Sequence, residues 1–273
     1  MPALDIMALA EILRAAAKAE IMPRFRRLGK GDIRIKTDAI DLVTEADEAA
    51  ERMIKADLEK LAPEAQFIGE ESVAADPGLL DTIKDADIAI IVDPIDGTFN
   101  YAAGTPLFGV MAALVVKGET VAGIIYDPMA DDWVIAERGA GAFTRRPDGD
   151  VQRLKAASAV PLDQMAGMAS TGFMEPVMRR AVLGNLAKVR MLASYRCAAH
   201  EYRIASAGHI HYLMFNKLMP WDHLAGALIM QEAGAHVARL DGSAYLPEHT
   251  SGGLLVAPDR DSWDMLSREV FTI

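Results

Sequence analysis

The sequence predicts an α/β protein whose first half has α+β character, and three observations carry that reading. Apolar runs at 109–117, 121–126 and 133–137 are separated only by Gly118-Glu119 and by a stretch opening on Asp127-Pro128. Links that short join antiparallel strands, so the runs read as a meander. From about residue 175 onward, helical and strand-like segments alternate, the pattern of an α/β layer. The third observation is size: 273 residues, 51% of them hydrophobic, are enough to bury a sizeable core.

The elements follow in order. Residues 4–28 read as an amphipathic helix, because Ile6, Leu9, Ala10, Leu13 and Ala17 fall at helical spacing, with Pro23 kinking or ending it. Gly29-Lys30-Gly31-Asp32 is a turn, and 33–36 alternates like a strand. Thr44 is a good N-cap, and Asp47 three residues on completes a capping box with Asp in place of Glu. The helix then runs from 45 to 61 and meets Pro63. A short strand at 66–69 ends in Glu70-Glu71-Ser72, which taken alone reads as a solvated loop. The apolar run 88–92 is a buried strand, Gly139 to Phe143 a turn, and 145–150 a polar loop near a domain boundary. In the second half, helices are expected at 175–187, 198–207, 220–233 and 259–270, and strands at 189–192, 210–215, 235–240 and 254–256. The expected division is 1–147, with the antiparallel sheet and most of the candidate site, and 148–273, an α/β part completing one compact unit.

The net charge of −11 argues against a nucleic-acid binder, which needs a basic surface. It does not exclude a small phosphorylated substrate, since a bound cation reverses the local sign. Cys197 is the sole cysteine, so no intrachain disulfide forms, which fits a reducing compartment. Residues 1–28 carry no signal-peptide apolar core and nothing long enough to span a bilayer. A cytoplasmic protein is expected.

The chemistry concentrates at Val92-Asp93-Pro94-Ile95-Asp96-Gly97-Thr98. Two carboxylates three residues apart sit where a buried strand ends. Gly97 lets the backbone approach a ligand, and the Gly97 and Thr98 amides can open a helix that seats a phosphate. Carboxylates beside an anion seat repel a phosphate unless hard cations lie between them. The simplest resolution is a magnesium-dependent phosphate site. Glu70 at another strand end and Asp222, an N-cap candidate before a long helix, add further carboxylates. His223 is left out of the metal shell because magnesium prefers oxygen.

Four stretches together resemble the signature segments of the inositol monophosphatase family, in its order and at its spacing: Asp41-Leu42-Val43-Thr44-Glu45-Ala46-Asp47, Gly69-Glu70-Glu71-Ser72, Asp93-Pro94-Ile95-Asp96-Gly97-Thr98 and Trp221-Asp222-His223-Leu224-Ala225-Gly226. The resemblance spans about 36–234. It implies a layered αβαβα sandwich of the sugar-phosphatase type, a homodimer, and hydrolysis of a phosphomonoester such as inositol 1-phosphate with two or three Mg2+ ions. It implies that Glu70, Asp93 and the Ile95 carbonyl hold one ion and Asp93, Asp96 and Asp222 a second, with Glu70 assisting a third. Glu70 and Thr98 would activate water, with Asp47 and Thr44 behind Thr98, and Lys36 facing the same site. The Gly97 and Thr98 amides would hold phosphate oxygens.

The substrate side departs from the family. Its Gly-Ser/Thr-Ala-Ala stretch corresponds here to Arg196-Cys197-Ala198-Ala199, and its sugar-binding Glu to Phe215. Phe215 either stacks on a flat leaving group or packs in the core, and Arg196 is either a second phosphate contact or a surface residue. Substrate binding is thus expected from Gly97, Thr98, Asp96, Asp222, Arg196 and Phe215. The alternatives are the same chemistry on a nucleotide bisphosphate, fructose 1,6-bisphosphate or histidinol phosphate, or a regulatory binding protein on the same scaffold, as in the extragenic-suppressor type.

Overall fold

The computed structural model describes residues 4–29, 31–36 and 42–272. Lys30 of the expected turn and Asp41 of the first signature stretch lie outside the described residues. The first helix, α1 (Ile6–Ala16), continues as one π-helical stretch, Ala17–Ile21, and is over before Pro23. Strands β1 (Ile33–Ile35) and β2 (Leu42–Thr44) pair antiparallel. Helix α2 (Glu45–Leu61) starts with the expected capping box.

Next come β3 (Gln66–Gly69), α3 (Glu70–Ala75), α4 (Leu79–Thr82), β4 (Ile88–Asp96) and α5 (Thr98–Ala102). The meander follows as β5 (Gly109–Val116), β6 (Glu119–Asp127) and β7 (Asp132–Glu137). Two further strands, β8 (Gly141–Arg145) and β9 (Val151–Arg153), extend it. The expected turn at 139–143 is therefore half strand, and 146–150 is a hairpin turn. Strands β3 to β9 form one seven-stranded sheet in sequence order, antiparallel except for β3 beside β4.

The second half contributes β10 (Ala166–Ser170), α6 (Pro176–Asn185), β11 (Met191–Ala193), α7 (Ala198–Ser206) and β12 (Tyr212–Phe215). Then follow α8 (Pro220–Glu232), β13 (His236–Arg239), β14 (Leu254–Ala257) and α9 (Arg260–Glu269). Their sheet has the order β11-β10-β12-β14-β13 and is mixed, with β10 parallel to both of its neighbours.

Alternation along the strands builds the layers. In β4, Ile90 and Val92 face α1 and α2, while Ala89 and Ile91 face α7 and α8. The second sheet does the same: Leu213 and Phe215 of β12 join the α7–α8 layer, while Tyr212 and Met214 pack with Val182 of α6 and Leu266 of α9. The result is an α/β sandwich of helices, sheet, helices, sheet, helices. Helix α8 lies close on the first sheet because Gly123 of β6 has no side chain; a Cβ there would stand 2.7 Å from the Ala225 carbonyl oxygen. No helix among the described residues is long and apolar enough to cross a membrane.

Candidate active site

The carboxylates of β4 converge because the strand is irregular. Residues three apart in a regular strand face opposite sides. Between Asp93 and Asp96 the pairing with β5 slips: Asp93 pairs with Met111 and Asp96 with Gly109, three steps on β4 against two on β5. This bulge falls at Pro94, which has no amide to donate, and it brings both aspartates to one side. The strand runs through Asp96 rather than ending at Val92. Gly97 then turns the chain with φ 86°, where a Cβ would stand 2.9 Å from the Leu107 carbonyl, and α5 begins.

Asp222 meets them from α8. It is not the N-cap: Met219 is, Pro220 opens the helix, and Asp222 lies in the first turn. Asp93, Asp96 and Asp222 each offer an oxygen within 4.8 Å of the others. Asp93 Oδ1 is buried with no hydrogen-bond partner among the described residues, although Asp93 shares a hydrogen bond with Asp222. Two carboxylates bond to each other only with a proton between them. Burial, reinforced by the neighbouring acids, raises both well above the usual carboxylate range, and burial raises Asp96 too. Asp96 Oδ2 accepts from Cys197 Sγ at 2.9 Å and from the Ala199 amide at 2.6 Å. Cys197 is thus no inert core thiol; it ties the start of α7 to β4.

Glu70 faces the cluster from α3 without joining it. Its Oε1 takes the Lys36 ammonium at 2.8 Å, and Lys36 also reaches Glu71 Oε1 at 2.6 Å. Burial lowers the lysine, but Glu70 and Glu71 outweigh it and the net shift is upward. The Glu70-Glu71-Ser72 stretch is a helix start rather than a solvated loop, and the residue responsible is Glu51 of α2. Its buried carboxylate accepts from the Glu71 amide (2.7 Å), the Ser72 amide (2.8 Å) and Ser72 Oγ (2.6 Å).

Thr44, Asp47 and Thr98 form one chain. Asp47 Oδ2 accepts from the Thr44 amide (2.8 Å) and hydroxyl (2.5 Å), and Thr98 Oγ1 lies 3.1 Å from Asp47 Oδ1 and 2.9 Å from the Ile95 carbonyl. Asp47 is fully buried rather than a surface carboxylate at a helix start, and burial pushes it up to about 7.

These groups surround an open cavity of about 710 Å3, lined by Lys36, Glu70, Asp93, Ile95, Asp96, Gly97, Thr98, Arg196, Phe215 and Asp222; Thr44 and Asp47 sit behind its wall. Phe215 is only 4% exposed, and its ring packs 4.5 Å from His223 and 5.1 Å from Tyr202. Its faces are thus taken by the core, which leaves an edge for the cavity. His223 places its two ring nitrogens on the Lys217 carbonyl (3.0 Å) and Tyr202 Oη (3.3 Å). With both occupied, His223 has no nitrogen for a metal. Ser170 also lines the cavity, whereas His200 and His211 bond to backbone of Phe108 and Ala166.

Sequence reasoning missed four groups. Glu51 and Glu201 are helix acids with no motif around them, and only their partners, 20 and 6 residues away, account for their burial. Asn100 holds the Tyr195 carbonyl at 2.7 Å, and Lys217 lines the cavity. No local pattern marks either.

The donor set fits a hard cation. It is all oxygen, it is concentrated, and it contains an orphaned buried carboxylate oxygen.

The fold and site define a layered α/β protein with a carboxylate-floored pocket between its two sheets. A sequence profile described as the inositol monophosphatase family matches residues 5–269. The chain is 36% identical over 220 residues to the inositol-1-monophosphatase of Mesorhizobium japonicum, with 77% of each chain covered. It is 31% identical to the Thermotoga maritima protein named fructose-1,6-bisphosphatase/inositol-1-monophosphatase, over 76% of this chain and 75% of that one. The solved structure of extragenic suppressor protein suhB from Bartonella henselae superposes with a TM-score of 0.81 at 26% identity, covering 97% of each chain. This chain belongs to the inositol monophosphatase family. The family and these relatives mark a phosphatase-type enzyme.

Proposed function

We propose that the protein hydrolyses a small phosphomonoester, such as inositol 1-phosphate, in a Mg2+-dependent reaction. The observation that carries this is the Asp93–Asp96–Asp222 cluster with its unpartnered buried oxygen on the floor of the cavity. Glu70, Asp93 and the Ile95 carbonyl would hold one ion, Asp93, Asp96 and Asp222 a second, and Glu70 would assist a third. Ions there supply charge that offsets the phosphate and makes a water more acidic.

The remaining steps belong to the chain. Thr98 has one hydroxyl proton for two acceptors, Asp47 and the Ile95 carbonyl. Donating it to Asp47 leaves an Oγ1 lone pair to orient the attacking water, and Thr44 holds Asp47 for that purpose. Glu70 accepts the proton of the water. The Gly97 and Thr98 amides hold phosphate oxygens, and Asp96, Asp222, Arg196 and the edge of Phe215 border the leaving group. Cys197 is committed to Asp96 and its thiol is pushed well upward by burial, so it is no nucleophile; attack is by water directly on phosphorus. Residues 1–147 and 148–273 act as two parts of one unit in this reading, in a cytoplasmic homodimer.

Two observations favour a broader substrate. The cavity is open and measures about 710 Å3, and Arg196 lines it together with the aspartates. A nucleotide bisphosphate, a sugar bisphosphate or histidinol phosphate therefore stays a second reading. A regulatory binding role, which the likeness to the extragenic suppressor protein raises, is a third.

The test is release of inorganic phosphate from inositol 1-phosphate, with and without Mg2+, by wild type and Asp93→Asn. Metal-dependent release by wild type alone supports the reading. Equal release by both, or none by either on any phosphomonoester, overturns it.

A further inference from the structure

The floor of the cavity is acidic, but its mouth carries two exposed cations with no carboxylate in salt-bridge reach among the described residues, although Lys217 acts on Asp222 at longer range. Arg196 is one. Its backbone has φ 53°, in the left-handed region that a side chain of this size rarely adopts. The surroundings enforce it. Glu201, buried on α7, accepts from the Tyr195 amide (2.7 Å), Ser194 Oγ (3.3 Å) and the Arg196 amide, while Asn100 Nδ2 donates to the Tyr195 carbonyl. Glu201 thus spends its charge on the turn and none of it on the guanidinium. The guanidinium lies 3.6 Å from the centre of the Phe99 ring, just beyond Thr98. Stacked that way, it keeps its N–H edge free to receive a planar or tetrahedral anion. A strained backbone held from several sides, presenting an unpaired side chain, is an arrangement that ligand sites use.

Lys217 is the other. It follows β12, is exposed, and sits 5.5 Å from the centre of the Phe173 ring. Its backbone is fixed by His223, which donates to the Lys217 carbonyl, and the neighbouring Asn216 Nδ2 donates to the Phe173 carbonyl at 3.2 Å. Both cations line the same cavity as the aspartate cluster. A chain of net charge −11 thus places two uncommitted cations around the mouth of its acidic pocket.

We propose that Arg196 and Lys217 form a second anion subsite. It would take a phosphate or carboxylate carried by the leaving group, so the preferred substrates are phosphomonoesters bearing a second anionic group. This rests on the phosphatase reading of the aspartate floor and goes beyond it in naming the substrate class.

The experiment compares matched pairs that differ only in the second phosphate: inositol 1-phosphate with inositol 1,4-bisphosphate, and adenosine 3′-phosphate with adenosine 3′,5′-bisphosphate. Wild type is expected to show at least a tenfold higher kcat/KM on the bis-anionic member of one pair or more, expressed mainly in KM. Arg196→Gln and Lys217→Gln should each cut that ratio severalfold. Lys217 is exposed, so its variant tests the subsite without endangering the fold. Equal kcat/KM on both members in wild type, or variants that lower both members alike, overturns the subsite and leaves the phosphatase reading standing. No Mg2+-dependent release from any of the four substrates overturns both.

Discussion

Replacing Glu51 by Ala removes the anchor of α3 and should unsettle Glu70 without touching it. Glu51 is 5% exposed, and its carboxylate accepts three hydrogen bonds at 2.6–2.8 Å from Glu71 and Ser72. Hydrogen bonds to a charged group contribute about 1.5–3 kcal/mol each. Burial raises this carboxylate above its ordinary pKa, so part of that gain is spent on desolvation, and water enters the space left by Ala. A net loss of about 3 kcal/mol follows. For a protein of this size 1 kcal/mol moves Tm by roughly 2–4 °C, so Tm should fall by about 10 °C. Glu70 opens the helix that Glu51 holds, and a displacement of about 1 Å at a reacting group costs on the order of 100-fold in rate. Circular dichroism melts and phosphate release measured on the same preparation read both effects. Glu51→Gln keeps one acceptor oxygen and should fall between the two. An Ala variant that melts and turns over like wild type would refute the argument that α3 is held from α2.

Other consequences are as direct. Thr98→Ala should lower kcat about 100-fold with a Tm within about 4 °C of wild type, since it removes a hydroxyl and a methyl from a half-buried side chain while Asp47 keeps both of its bonds from Thr44; steady-state kinetics read it. Asp93→Asn should abolish Mg2+-dependent turnover yet leave the metal-free protein at least as stable, because it takes one member out of a buried, mutually repelling acid cluster; thermal melts in a chelator check the second half. Asp131 is held well below the usual carboxylate range by Arg14, with Lys18 and Tyr126 adding further hydrogen bonds. A depressed carboxylate stabilises the fold above its unfolded pKa, near 4, and that stability is lost as pH falls below it. Asp131→Asn should therefore narrow its deficit to wild type in urea unfolding as pH is lowered from 6 toward 3.

Much of the fold could be read from local pattern. The capping box at Thr44 and Asp47 and the helix Glu45–Leu61 lie where spacing placed them, as do β3 and the β5–β7 meander. These elements are legible because cap, apolar period and terminator agree within a few residues. Helix α3 was not legible, because Glu-Glu-Ser after a strand acquires its meaning only from Glu51, 20 residues back in the chain. Strand β10, Ala166–Ser170, has no β-branched residue to announce it. It is a strand because it lies between β11 and β12, and Gly167 is small because Tyr212 lies across it.

At the candidate site, the two β4 aspartates and the α8 aspartate could be named from motif alone, and the structure brings them together. The bulge that turns Asp96 onto the side of Asp93 could not. Nor could the partners that fix Lys36 and Phe215, namely Glu70 and Glu71 for the one and His223 and Tyr202 for the other, since these lie far from them or carry no local pattern.

The central claim is that the aspartate cluster is a cation site, and titration calorimetry of chelator-treated protein with Mg2+ tests it most directly. A saturable isotherm with at least two ions per chain is expected for wild type, and loss of at least one for Asp93→Asn. Identical isotherms for the two proteins, or no binding by wild type at millimolar Mg2+, would contradict it.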